Sequence, residues 1–145
     1  MALIDGLSDN HKKQILVDDC INLLETQVAA MGGISGLAIK AGYAAVKGIS
    51  PDYCAGAIAR LLPEFLMAFE DKWQDAVGSG DAVTYLVKNS DSTADVLLSL
   101  TDKRIEKSSN SSLKAVYGKL RKSAKKHVEE AVPSLAKVID NYSKL

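Results

Sequence analysis

Apolar positions recur at intervals of three and four along nearly the whole chain. Nowhere is there a sustained alternation of period two, so the pattern predicts helices and no strands. In the first stretch Leu16, Cys20, Leu23, Leu24, Val28 and Met31 fall on one broad side of a 3.6-residue wheel, with Asp18, Asp19, Asn22, Glu25 and Thr26 on the other. Ser8 or Asp9 caps this helix, and Gly32-Gly33 ends it by offering left-handed backbone without a steric penalty. A second helix, from about Ser35 to Lys47 and stopped by Gly48, is rich in glycine and alanine, so neighbouring helices can approach it closely. Ser50-Pro51 reads as a restart, with serine as cap and proline at the first helical position.

The third helix carries Cys54, Ile58, Leu61, Phe65, Phe69, Trp73 and Val77 in register. Pro63 removes one backbone hydrogen bond inside that series and predicts a kink or short break at Leu62-Pro63. Gly78-Ser79-Gly80 closes the segment, and Asp81 caps a short helix through Lys88. Ser90 or Asp91 opens a helix to about Lys107 with Ala94, Leu97, Leu98 and Ile105 inward. After the polar joint Ser108-Ser109-Asn110, a long helix runs to about Ala131 and buries Leu113, Val116, Tyr117, Leu120, Ala124, Val128 and Ala131. Pro133 is expected to end or restart it, and a last helix reaches Tyr142. The expected architecture is an all-α, single-domain bundle over residues 1–145, with about seven helices, short turns and a proline kink near residue 63.

Composition narrows the class. Apolar residues make up 47% and charged residues 25%, as in an ordinary water-soluble fold. The start, Met1-Ala2-Leu3-Ile4-Asp5-Gly6, has neither the basic nor the apolar region of an export signal, and the expected location is cytoplasmic. The longest uncharged run, Thr26 to Ile39, falls short of the roughly 20 apolar residues of a membrane span. Cys20 and Cys54 form no CxxC pair and read as free, inert thiols on apolar stripes.

Net charge is zero, yet it is unevenly distributed. Residues 1–100 hold seven basic and thirteen acidic side chains, a net of minus six; residues 101–145 hold eleven and five, a net of plus six. Lys114, Lys119, Arg121, Lys122, Lys125 and Lys126 lie opposite the apolar stripe of the long helix. That face reads either as a surface for an acidic protein, acidic lipid or nucleic acid, or as a solvated face offset by the acidic half. The zero net charge and the lack of aromatic stacking platforms argue against nucleic acid. A second candidate anion site is the stripe Lys40, Tyr43 and Lys47, at i, i+3, i+7 spacing.

No catalytic residue and no cofactor is nominated. His127 and Glu130 form an H-x-x-E pair, the reverse of the E-x-x-H that di-iron bundles need. Glu70, Asp71 and Asp75 lack the loop that hard cations require, so no metal site is expected. The Gly-rich turn at residues 31–36 lacks the G-K-[ST] ending of a phosphate loop. His127 and Arg104, with Tyr43, mark where a small-molecule pocket would lie.

Several strings resemble a family of small all-helical bacterial proteins of unknown function, of actinobacterial and cyanobacterial type. They are Gly32-Gly33-Ile34-Ser35-Gly36, Lys40-Ala41-Gly42-Tyr43-Ala44-Ala45-Val46-Lys47, Leu61-Leu62-Pro63-Glu64-Phe65, Thr101-Asp102, Leu120-Arg121 and Ala131-Val132-Pro133. The resemblance implies an intact helical domain and brings no activity or ligand. Where that family has proline after the basic position, this chain has Lys122, which keeps the helix continuous. The residues therefore read as a non-enzymatic helical module that works by contact with an unknown protein partner or with itself as a homodimer. The alternative is an anion-binding module for an acidic partner, a nucleic acid or a phosphorylated small molecule.

Overall fold

The Asp9 carboxylate accepts hydrogen bonds from the backbone N–H groups of His11 at 2.9 Å and Lys12 at 3.2 Å, and this cap starts the first long helix. The computed structural model describes residues 2–49 and 52–145, with the side chains of Ser35, Val46, Ile49 and Lys122 outside that description. A 3-10 helix, Leu3–Ser8, precedes α1 (Asn10–Ala30), α2 (Gly33–Ile49), α3 (Tyr53–Gly78), α4 (Ala82–Lys88), α5 (Ser90–Glu106) and α6 (Ser111–Ser143). Among the described residues there is no strand. The fold is the all-α bundle that the 3.6-residue periodicity predicts.

Local chemistry accounts for most of the boundaries. Gly33 adopts φ +73° at the α1–α2 corner, a backbone that L side chains disfavour. The Asp81 side chain accepts from Thr84 N–H at 3.1 Å and starts α4; the Asn110 side chain accepts from Leu113 N–H at 2.9 Å and starts α6. The expected restart at Ser50-Pro51 lies outside the described residues.

The expectation at Pro133 needs correction. Helix α3 runs through Pro63 as one element, but so does α6 through Pro133, and the two helices expected on either side of Pro133 are one element of 33 residues. Each proline costs one intrahelical bond and frees the carbonyl four residues back. Packing outweighs that loss. Leu62, Phe65 and Leu66 are buried around Pro63, and Val132 and Ala136 around Pro133.

Helix α6, about 50 Å long at 1.5 Å per residue, packs on α1, α2, α4 and α5, while α3 packs on α1, α2, α4, α5 and the 3-10 helix. Most of these elements share one close-packed core. It joins Leu3, Leu16, Leu66, Phe69, Trp73, Leu86, Val132, Ile139 and Tyr142, and the Phe65 and Phe69 rings stack with centroids 5.1 Å apart. Tyr142 donates a hydrogen bond to the Leu3 carbonyl at 2.7 Å, and Glu70 accepts one from Leu3 N–H at 2.9 Å, which ties the 3-10 helix to α6 and α3 beside this core.

Candidate binding cavity

Adjoining this core, and sharing Leu62, Phe65 and Ile139 with it, the apolar stripes of five helices face one another across a cavity of about 380 Å³. Helix α1 contributes Cys20, Leu23, Leu24, Gln27 and Val28, with Met31 just beyond its end. Ile58, Leu61, Leu62 and Phe65 come from α3, Leu97 and Thr101 from α5, and Ile39 from α2. The remaining wall is α6, where Ala124, His127, Val128, Ala131, Leu135 and Ile139 stand at intervals of three and four. Each set is a helical stripe of the kind that fills a core. Here alanines at 124 and 131, and the short side of α2, leave the space between the stripes open.

The wall is apolar, with Phe65 supplying a phenyl ring, apart from a few polar groups. His127 is 6% exposed, and its Nδ1 lies 3.7 Å from the Glu130 carboxylate. Gln27 donates a long bond, 3.5 Å, to Ser134 Oγ. Thr101 shares a 2.9 Å hydrogen bond with the Tyr117 hydroxyl. Burial pushes the Cys20 thiol up to about 11, so at neutral pH it is a protonated, weakly polar wall group and not a nucleophile. Cys54 is also a free thiol, raised by burial, and does not line the cavity.

From Thr101 a polar network leads outward between α5 and α6. Tyr117 donates to Asp102, and Arg121 donates to both Asp102 oxygens, at 2.8 Å from Nε and 3.1 Å from Nη2. The Arg121 hydrogen bonds hold the Asp102 carboxyl below its ordinary range, against partial burial and with help from Tyr117. One turn on, Lys125 bridges Asp91 and Asp95, the latter at 3.0 Å, and these bonds raise its pKa.

The structure divides the residues singled out in the sequence. His127 lines the cavity; Arg104 and Tyr43 are not among its lining residues. Arg104 instead donates to the Arg60 carbonyl at 2.8 Å and to Glu64 at 3.0 Å, tying α5 to α3. In the Lys40/Tyr43/Lys47 stripe, the Lys47 ammonium sits 5.1 Å from the centre of the Tyr43 ring and 3.5 Å from Glu25. On the basic face, Arg121 and Lys125 are committed to carboxylates on α5, and the Lys122 side chain lies outside the described residues. Lys114, Lys119 and Lys126 are exposed. Among the described residues no three His, Cys, Asp or Glu side chains gather into a group that could hold a metal ion, and no helix is long and apolar enough to cross a membrane.

The profile of a family of unknown function, DUF6918, matches residues 3–143. No curated protein and no solved structure matches the chain.

Proposed function

The chain belongs to that family of unknown function, and we propose that it holds one apolar small molecule in the cavity between α1, α2, α3, α5 and α6. The observation that carries this reading is an apolar cavity of about 380 Å³, within the usual size of small-molecule sites, roughly 300–1,000 Å³. Apolar cavities of about 150 Å³ hold one benzene. By proportion this one takes roughly 15 carbon atoms, the bulk of a single aliphatic chain or a small fused-ring hydrocarbon. Gln27, Thr101 and His127 supply the few polar contacts that set the ligand's orientation.

The contact reading draws on a different feature, the outer side of α2, where Ile34 is 90% and Leu37 66% exposed. The anion reading retains Lys114, Lys119 and Lys126, because Arg121 and Lys125 are already matched by acids of α5. A bacterial, cytoplasmic setting belongs to the same proposal and is what the resemblance suggests.

Native mass spectrometry on gently purified protein tests the ligand. The expected spectrum shows one adduct per chain, removable by organic solvent and restored by adding an aliphatic alcohol of about 15 carbons. A bare chain that takes up no such alcohol would overturn the reading.

A further inference from the structure

Helix α2 contains no acidic residue and two lysines. Its inner side is set by Gly36 and Gly42, which are buried, and by Ile39 and Tyr43, which are half-buried. Gly42 abuts Val116 and Leu120 of α6, and a side chain there would collide with them. The opposite side carries Ile34, Leu37, Ala38, Ala41, Ala44 and Ala45, all exposed. A helix apolar on both sides belongs where both sides are covered, and a bare apolar strip marks a contact surface.

The flanks of the strip identify what covers it. Lys40 and Lys47 stand along one edge, where Lys47 reaches Glu25 of α1. Along the other edge lies α6. There Lys119 and Lys126, one heptad apart and next to the Val116/Leu120 side that meets Gly42, are exposed and form no ion pair among the described residues. An uncharged strip bordered on both edges by lysines is the composition of a helix lying in the headgroup layer, its lysine stems reaching up to anionic phosphates. A second copy of the chain fits less well. It would bring lysine borders of like sign together, and a helix about 25 Å long offers far less than the roughly 800 Å² per partner of a stable dimer.

We infer that the outer face of α2 seats on an anionic lipid surface. Seating brings the lipid phase next to the cavity, which α2 reaches through Ile39 and the preceding Met31. Exchange of an apolar ligand between the two rests on the cavity reading above; the seating itself does not.

Flotation with phosphatidylcholine vesicles, with and without phosphatidylglycerol, tests the seating, while uptake of the neutral probe N-phenyl-1-naphthylamine is followed on the same protein. The wild type is expected to float with the anionic vesicles only, and to release at high salt. Leu37→Asp should weaken vesicle binding at least tenfold and leave probe uptake intact, because Leu37 points away from the cavity and its change does not threaten the fold. Lys119→Glu combined with Lys126→Glu should weaken it several-fold by removing charge alone. No flotation with intact uptake overturns the seating and spares the cavity; flotation without uptake does the reverse. Flotation unchanged in both variants, or a concentration-dependent dimer abolished by Leu37→Asp, gives the α2 face to another occupant and overturns the inference.

Discussion

Replacing Ala131 with leucine separates a cavity from a core by the sign of its effect. Ala131 lines the cavity on α6, one helical turn from His127 and from Leu135. In a filled interior the extra carbons would have to displace neighbours, at a cost of about 1–3 kcal/mol. Into open apolar space they bring three carbon atoms of burial, worth at most about 2.4 kcal/mol at roughly 0.8 per carbon; lost side-chain freedom of about 0.5–1 kcal/mol reduces this. The ligand-free protein, refolded from urea so that nothing co-purifies, should therefore gain about 1–2 kcal/mol. The same leucine takes the room of about three of the ligand's 15 carbons, which weakens binding by up to roughly fiftyfold. Urea unfolding followed by circular dichroism reads the first effect as a raised midpoint at unchanged slope. A lowered midpoint would mean that the space around Ala131 is already filled, and the reasoning from the cavity would fail.

Three other perturbations test the supporting parts. The Cys20 thiol is pushed up to about 11 from 9.0, so iodoacetamide at pH 8 should modify it about a hundredfold more slowly than a model thiol, and unfolding should abolish the difference; its folded-state advantage is complete below pH 9 and is lost as the pH rises toward the folded value. Asp102 has the opposite sign. Its depressed pKa gives stability that is present above the ordinary carboxylate value and lost as the pH falls through the folded one, so Asp102→Asn should cost about 0.5–1.5 kcal/mol at pH 7 in urea unfolding, and a cost unchanged in strong acid would refute the Arg121 and Tyr117 account. At the glycines, a Cβ on Gly36 would stand 2.8 Å from the Met31 backbone carbon, whereas one on Gly118 meets nothing within 4 Å. Gly36→Ala should lower the melting temperature and Gly118→Ala should raise it by about 0.5–1 kcal/mol of added stability; equal effects would contradict the close α1–α2 corner.

Local signals were legible where one residue decides. Asp9 and Asp81 each cap a helix through bonds that depend only on a side chain and the next few N–H groups. Pro133 misled because its cost is also local, about 3 kcal/mol, while the packing that absorbs it is shared with residues distant in sequence: Val132 and Ala136 belong to one core with Leu16 and Trp73. The cavity was hidden for a related reason. Leu23, Val28, Leu61, Leu97 and Val128 show the same periodicity whether their tips touch or stand apart, so the stripe that predicts a core equally describes a cavity wall. The pairing of the charges was half visible: the acidic and basic segments were plain, but that Arg121 meets Asp102 while Lys125 takes Asp91 and Asp95 depends on how α5 lies across α6. His127, which the sequence places at a pocket, is buried in the cavity wall. The sequence sets Arg104 beside it, but Arg104, one turn beyond Thr101 on α5, points instead to α3.

The central claim is that the space between the five helices receives a ligand. Titration of the refolded, ligand-free chain with N-phenyl-1-naphthylamine, followed by displacement with an aliphatic alcohol of about 15 carbons, measures it most directly. Burial of that chain is worth at most about 12 kcal/mol, and association costs at least about 4, so the account predicts saturable binding of one molecule per chain with micromolar affinity, weakened tens-fold in Ala131→Leu. Fluorescence that rises without saturation, or that is the same in the wild type and Ala131→Leu, would contradict it.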